Sequence, residues 1–120
     1  MGFLERWFGG TTSTTSSDTV LEQYRLLVTG APTEALEFAH TDAFTELEPD
    51  ARDAIYERLS EGAGTGERPL SSEPATLARA AVRVESRRPG RLEVILDGSR
   101  DEVARSVVRS PFVAPFLPFD

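Results

Sequence analysis

Glu37 and His40 stand in the spacing Glu-x-x-His. On a helix that spacing sets a carboxylate and an imidazole on one face, the arrangement carboxylate-bridged di-iron bundles use. Such a centre takes two of these motifs and further Glu residues. The chain has one His, so a symmetric dimer would have to supply the second. The plainer expectation is an imidazole near a helix end, where the C-terminal dipole favours its charged form. No metal or other cofactor is expected; Glu37 and His40 are the residues a metal would use.

Other routes to chemistry are thin. "GAGTGER" (62–68) is rich in Gly but lacks the Lys-Ser/Thr of a phosphate-binding loop and does not follow a strand, so it reads as a connecting loop. No Ser lies in a nucleophile elbow, and His40 is the sole imidazole for a triad. Cysteine is absent, which removes disulfides, thiolate nucleophiles and cysteine metal sites. No catalytic residue is assigned.

Charge is patterned more clearly. Arg79, Arg83 and Arg87 recur every four residues, with Arg88 and Arg91 beside them. Against this basic stripe, residues 34–61 carry nine acids (Glu34, Glu37, Asp42, Glu46, Glu48, Asp50, Asp53, Glu57, Glu61) and two arginines, Arg52 and Arg58. One expectation is a solvated face partly neutralised by the acidic neighbour. The other is an electrostatic docking surface for an acidic partner. Nucleic acid is not expected, because such binders show a net basic domain with aromatic or helix-turn-helix context.

The elements that must hold these residues fit within 120 residues, enough for one small domain with tails. Hydrophobic content is 39%, lean for a core with no staples. Net charge is −7, which opposes adhesion to nucleic acid or anionic lipid, and all thirteen basic residues are Arg. No stretch reaches membrane-spanning length. Glu5 and Arg6 interrupt the N-terminal apolar patch as a secretory signal would not allow, and Arg6 occupies the position where a myristoylation site wants Ser or Thr. The expected location is cytoplasmic, with attachment to the periphery of a membrane-associated complex as a further option.

Helical periodicity dominates. Ser17 or Asp18 can cap a helix carrying Val20, Leu21, Tyr24, Leu27 and Val28, which Gly30 ends. A second helix follows Pro32, carries Leu36, Phe38 and Ala39, and is expected to break near "HTD" (40–42). Phe44, Leu47, Ala51, Ile55 and Leu59 trace one apolar face around the helix start at Pro49, and Gly62 stops it. Ser71 or Ser72 caps a helix over about 73–88 that buries Leu77, Ala78, Ala81, Val82 and Val84 and ends at "RRPG". "RLEVIL" (91–96) alternates like a strand but has no partner strand, so a short helix is expected. "SRDE" (99–102) spells a capping box ahead of a last helix with Val103, Ala104, Val107 and Val108. Three prolines in "PFVAPFLPFD" predict an extended, polyproline-like end.

Aromatic placement is the most unusual feature. Six of the ten aromatic residues (Phe3, Trp7, Phe8, Phe112, Phe116, Phe119) lie in the first eight or last nine positions. Phe3, Leu4, Trp7 and Phe8 can share one side of a short helix, followed by the tether "GGTTSTTSS" (9–17). Burying one large aromatic side chain is worth roughly 2–3 kcal/mol, so rings at the ends imply that something covers them. The N-terminal patch can fold back, enter a groove on a partner, or meet a membrane interface. The C-terminal rings can fold back or enter pockets on another subunit.

"FTELEPDARDAIYERLSEG" and "TLARAAVRVESRRPGRLEVIL" together resemble a family of small, uncharacterised actinobacterial proteins over about residues 44–96. That family pairs a Leu-x-Pro-x-x-Arg helix start with an Ala/Arg-rich helix ending in Pro-Gly. The resemblance implies a helical fold. Some members carry a cation-transporting ATPase label; this chain has no Asp-Lys-Thr-Gly, nucleotide loop or membrane span, so that activity is not carried over. The family's Gly-rich end is replaced here by "SPFVAPFLPFD".

The expected architecture is all-α, a small bundle of four to six short helices over 18–110, preceded by an aromatic anchor (1–8) and a linker (9–17) and followed by an aromatic tail (111–120). The expected role is a non-catalytic accessory subunit or adaptor. It would dock on a larger protein assembly, or on further copies of itself, through Phe3, Leu4, Trp7, Phe8, Phe112, Phe116, Leu117 and Phe119. The alternatives are a peripheral membrane protein held by the N-terminal helix, and a small metal-binding helical enzyme using Glu37 and His40.

Overall fold

A computed structural model describes residues 19–61 and 68–117. The N-terminal anchor, its linker and their Ser17/Asp18 cap, and Phe119, fall outside the described residues. Among those described there are six α-helices and no strand. They are α1 (19–30), α2 (Thr33–Thr45), α3 (Pro49–Glu61), α4 (Pro74–Arg87), α5 (Arg91–Ile95) and α6 (Arg100–Val108), with a 3₁₀ turn at Ala114–Phe116. No helix among them is long and apolar enough to cross a membrane.

Each boundary has a local cause. Pro32 lies just ahead of α2 in extended backbone (φ −62°, ψ 148°), where its missing N–H costs nothing. Pro49 and Pro74 open α3 and α4 with φ already set for a helix. Gly90 adopts φ 91°, a left-handed turn that a side chain would strain, and so separates α4 from α5. The Glu85 carboxylate then accepts from the backbone N–H groups of Gly90 (2.8 Å) and Leu92 (3.0 Å), tying the two helices together. Residues 91–95 are helical, as the lack of a partner strand requires.

The core is continuous across all six helices. α2 packs most extensively on α4 and next on α6. On α4 the inward residues are Leu77, Ala78, Ala80, Ala81 and Val82, and the small alanines let α2 approach closely. Among the described residues, Tyr24 and Phe44 are the largest fully buried side chains. α3 is more lightly packed, burying Ile55 and Leu59. Polar staples add to its hold. Arg52 Nη1 donates to Leu47 O (2.7 Å) and Phe44 O (3.2 Å) at the turn before it. Arg58 Nη1 donates to Ile95 O (2.9 Å) and Asp97 O (2.8 Å) at the end of α5. Both arginines thus satisfy carbonyls that helix ends leave over.

Four expectations need correction. The break near 40–42 does not occur: α2 runs through to Thr45, and Thr41 and Thr45 donate their hydroxyls to the carbonyls four residues back. The apolar face expected from Phe44 to Leu59 therefore spans two helices and the turn between them, with Ala51 only half-buried. The serine caps also differ. Ser71 Oγ accepts from Glu73 N–H, but α4 starts from Glu73 without a side-chain cap. Ser99 makes no cap and spends its own N–H on Leu96 O, so the "SRDE" box does not close.

Finally, residues 111–117 are not polyproline-like. Ser110 Oγ accepts from Phe112 N–H and Phe116 N–H reaches Val113 O, so the chain curls through two turns. Proline's φ suits such turns as well as extended backbone. The reward is burial of Val113, which is fully enclosed, with Leu117 packed against the core.

Candidate docking surfaces

His40 lies in the interior. It is fully buried on the inner side of α2, facing Tyr24 of α1. His40 Nδ1–H donates to Leu36 O (2.7 Å), which fixes the tautomer, and Nε2 accepts from the Tyr24 hydroxyl (2.8 Å). Phe44 meets the imidazole edge-on at 5.9 Å between centroids. Burial holds the His40 pKa down to about 4, against a weaker opposing pull from the Leu36 carbonyl. Burial also pushes Tyr24 well above its usual value, helped by the Glu85 and Glu93 carboxylates.

This corrects both readings of Glu37 and His40. The imidazole is five residues from the end of a longer helix than expected, so dipole stabilisation of its charge is not its role. Both ring nitrogens are engaged, leaving no lone pair for a metal. Among the described residues no group of three metal-ligating side chains forms.

A cavity of about 270 Å³ opens between the ends of α1, α2, α4 and α5, lined by Val28, Leu36, Val82, Leu92, Thr29, Thr33, Ser86, Glu85 and His40 among others. Its two titratable groups are committed: His40 to Tyr24 and Leu36, Glu85 to two backbone N–H groups.

The outer face of α2 is different. Phe38 is 49% exposed and stacks on Phe112 of the C-terminal turn, with ring centroids 5.0 Å apart and planes 27° from parallel. Phe112 and Phe116 are each 44% exposed. Glu34 and Asp42 stand one helical turn to either side of Phe38, both exposed. Of the expected docking residues, Phe112 and Phe116 therefore remain available, while Leu117 turns inward. Phe3, Leu4, Trp7, Phe8 and Phe119 lie outside the described residues. The sequence does not mark Phe38 as part of this surface; it only places the ring in the same helix as Leu36 and Ala39.

The arginine stripe divides. Arg79 and Arg83 line a groove of about 530 Å³ with Arg68, Tyr56, Thr76, Ala80, Pro69 and Leu70, formed by α3, α4 and the segment before α4. Arg91 faces a different hollow, mixed in charge, with Arg58, Glu61, Glu93, Asp97 and Arg100. Arg88 is the C-cap of α4. The spacing of four aligned Arg79 and Arg83, but the helix ends before Arg91 can join them. On α1, Arg25 grips Glu93 through two bonds of 2.8 and 2.9 Å, holding that carboxyl below its usual range.

No family model matches the chain, and no curated protein or solved structure matches it.

Proposed function

We propose that this protein is a non-catalytic adaptor that docks on a larger protein assembly through exposed aromatic side chains. The observation that carries the reading is the stacked pair Phe38–Phe112, formed between α2 and the C-terminal turn yet left about half exposed. Rings held in place before binding lose little entropy on contact, and aromatic anchors dominate the energetics of protein interfaces. Phe116 adds a third ring from the same turn. Glu34 and Asp42 supply an acidic rim, which suits a partner surface with basic residues around an apolar pocket. Phe3, Leu4, Trp7, Phe8 and Phe119 would extend the aromatic contact. The proposed setting is cytoplasmic.

The test is a native pull-down of the tagged full chain from its source cells, in parallel with Phe38→Ala/Phe112→Ala. Proteins recovered with the intact chain should be lost with the double variant, whose circular dichroism should match the parent because both rings are partly solvated. A folded double variant that recovers the same proteins in the same ratio would refute the proposal.

A further inference from the structure

The groove between α3 and α4 shares no residue with the aromatic patch, and its chemistry is of the opposite kind. Arg68, Arg79 and Arg83 converge on it, and among the described residues none of the three makes an ion pair or a side-chain hydrogen bond. That is unusual in a chain of net charge −7, whose neighbouring helix α3 is itself rich in acids. Leu70, on the same groove, is 93% exposed, the highest value among the large apolar residues described. Tyr56 and Thr76 complete the lining with hydroxyl groups.

We propose that this groove binds a short extended segment of another protein that carries two carboxylates at alternate positions and a large apolar side chain beside them. Arg79 and Arg83 are one helical turn apart, about 6 Å between their side-chain origins. Alternate residues of an extended segment are separated by about 6.5 Å and point the same way. The two spacings match, so each guanidinium can take one carboxylate in forked geometry. Arg68 adds a third positive charge, and Leu70 gives the apolar side chain a surface to cover. A nucleic acid strand is disfavoured by the overall negative charge, which repels a polyanion at distance, and by the apolar part of the lining.

Fluorescence polarisation at low ionic strength with the full chain tests this. The probe is a labelled peptide, Leu-Glu-Ser-Glu-Leu. The controls are the same peptide with both Glu replaced by Gln, and a labelled single-stranded oligothymidylate. Saturable binding of the Glu peptide is expected, weakened about tenfold by Arg79→Gln/Arg83→Gln and severalfold by Leu70→Ser. These side chains are exposed, and unchanged circular dichroism verifies that the variants fold. Absence of saturable binding, equal binding of the Gln peptide, or indifference to the arginine substitutions overturns the proposal. Tighter binding of the oligothymidylate overturns it in favour of a phosphate-backbone site.

Discussion

Acid should unfold this protein through His40. The imidazole is fully buried, and both its nitrogens serve the neutral tautomer: Nδ1–H feeds the Leu36 carbonyl, and Nε2 must keep its lone pair for the Tyr24 hydroxyl. Protonation would place two N–H donors where one acceptor and one hydroxyl wait, inside an apolar shell. The pKa is therefore about 4 in the folded chain against 6.5 in the unfolded one. For a base whose folded pKa is depressed, the stabilisation is complete above the unfolded pKa and is lost as pH falls through the folded one. The gap, at about 1.4 kcal/mol per pH unit, amounts to ~3 kcal/mol. About 2 kcal/mol of that should already be gone near pH 5, because the unfolded imidazole is then almost fully charged. For a small domain this is a large share of its total stability. The assay is urea unfolding followed by circular dichroism at a series of pH values between about 7 and 4, run on the parent and on His40→Gln, which cannot titrate. Carboxylates titrate in both, so the difference isolates His40. The stability of the parent relative to the variant should shrink by ~3 kcal/mol across the range. A difference that stays constant would refute the reasoning, as would an imidazole that titrates near 6.5 by NMR in the folded chain.

Tyr24→Phe keeps the ring but leaves His40 Nε2 without its donor, and should cost about 1–3 kcal/mol in the same unfolding assay. Glu85→Gln loses the charge-assisted bonds to Gly90 and Leu92; a drop of about 1–2 kcal/mol and faster amide exchange at those two residues are expected. Gly90→Ala meets no neighbouring atom, so its cost should be the left-handed backbone alone, about 1 kcal/mol, with no change in the spectrum of the folded state.

The helical class and most boundaries were legible because their signals are local. Proline at 32, 49 and 74 and glycine at 30 and 90 act on their own backbone, and the sequence displays them. The misreadings share a different cause. "HTD" looked like a break because three polar residues in a row rarely enter a core, and the feature that makes His40 a core residue is Tyr24, sixteen positions away. The serine caps failed because each serine is held in the turn ahead of its helix: Ser71 Oγ is taken by the Glu73 N–H, and the Ser99 N–H is tied back to Leu96 O. Among the surfaces, the four-residue spacing of Arg79 and Arg83 was visible, whereas the presence of Arg68, Leu70 and Tyr56 around them is a product of how α3 lies on α4. Likewise the sequence makes Phe112 a candidate docking ring, but nothing in it pairs that ring with Phe38.

Arg52 and Arg58 flank Tyr56 along α3, and each spends one guanidinium nitrogen on two main-chain oxygens of another element. A helix with so few apolar anchors could swivel about its long axis; two bolts on either side of one tyrosine forbid that. The groove wall that Tyr56 forms is consequently set by contacts made well away from the groove. Lysine keeps the positive charge but carries it as a point charge on a more flexible stem, so exchanging both bolts for Lys should let Tyr56 and its wall drift although no groove-lining residue is substituted.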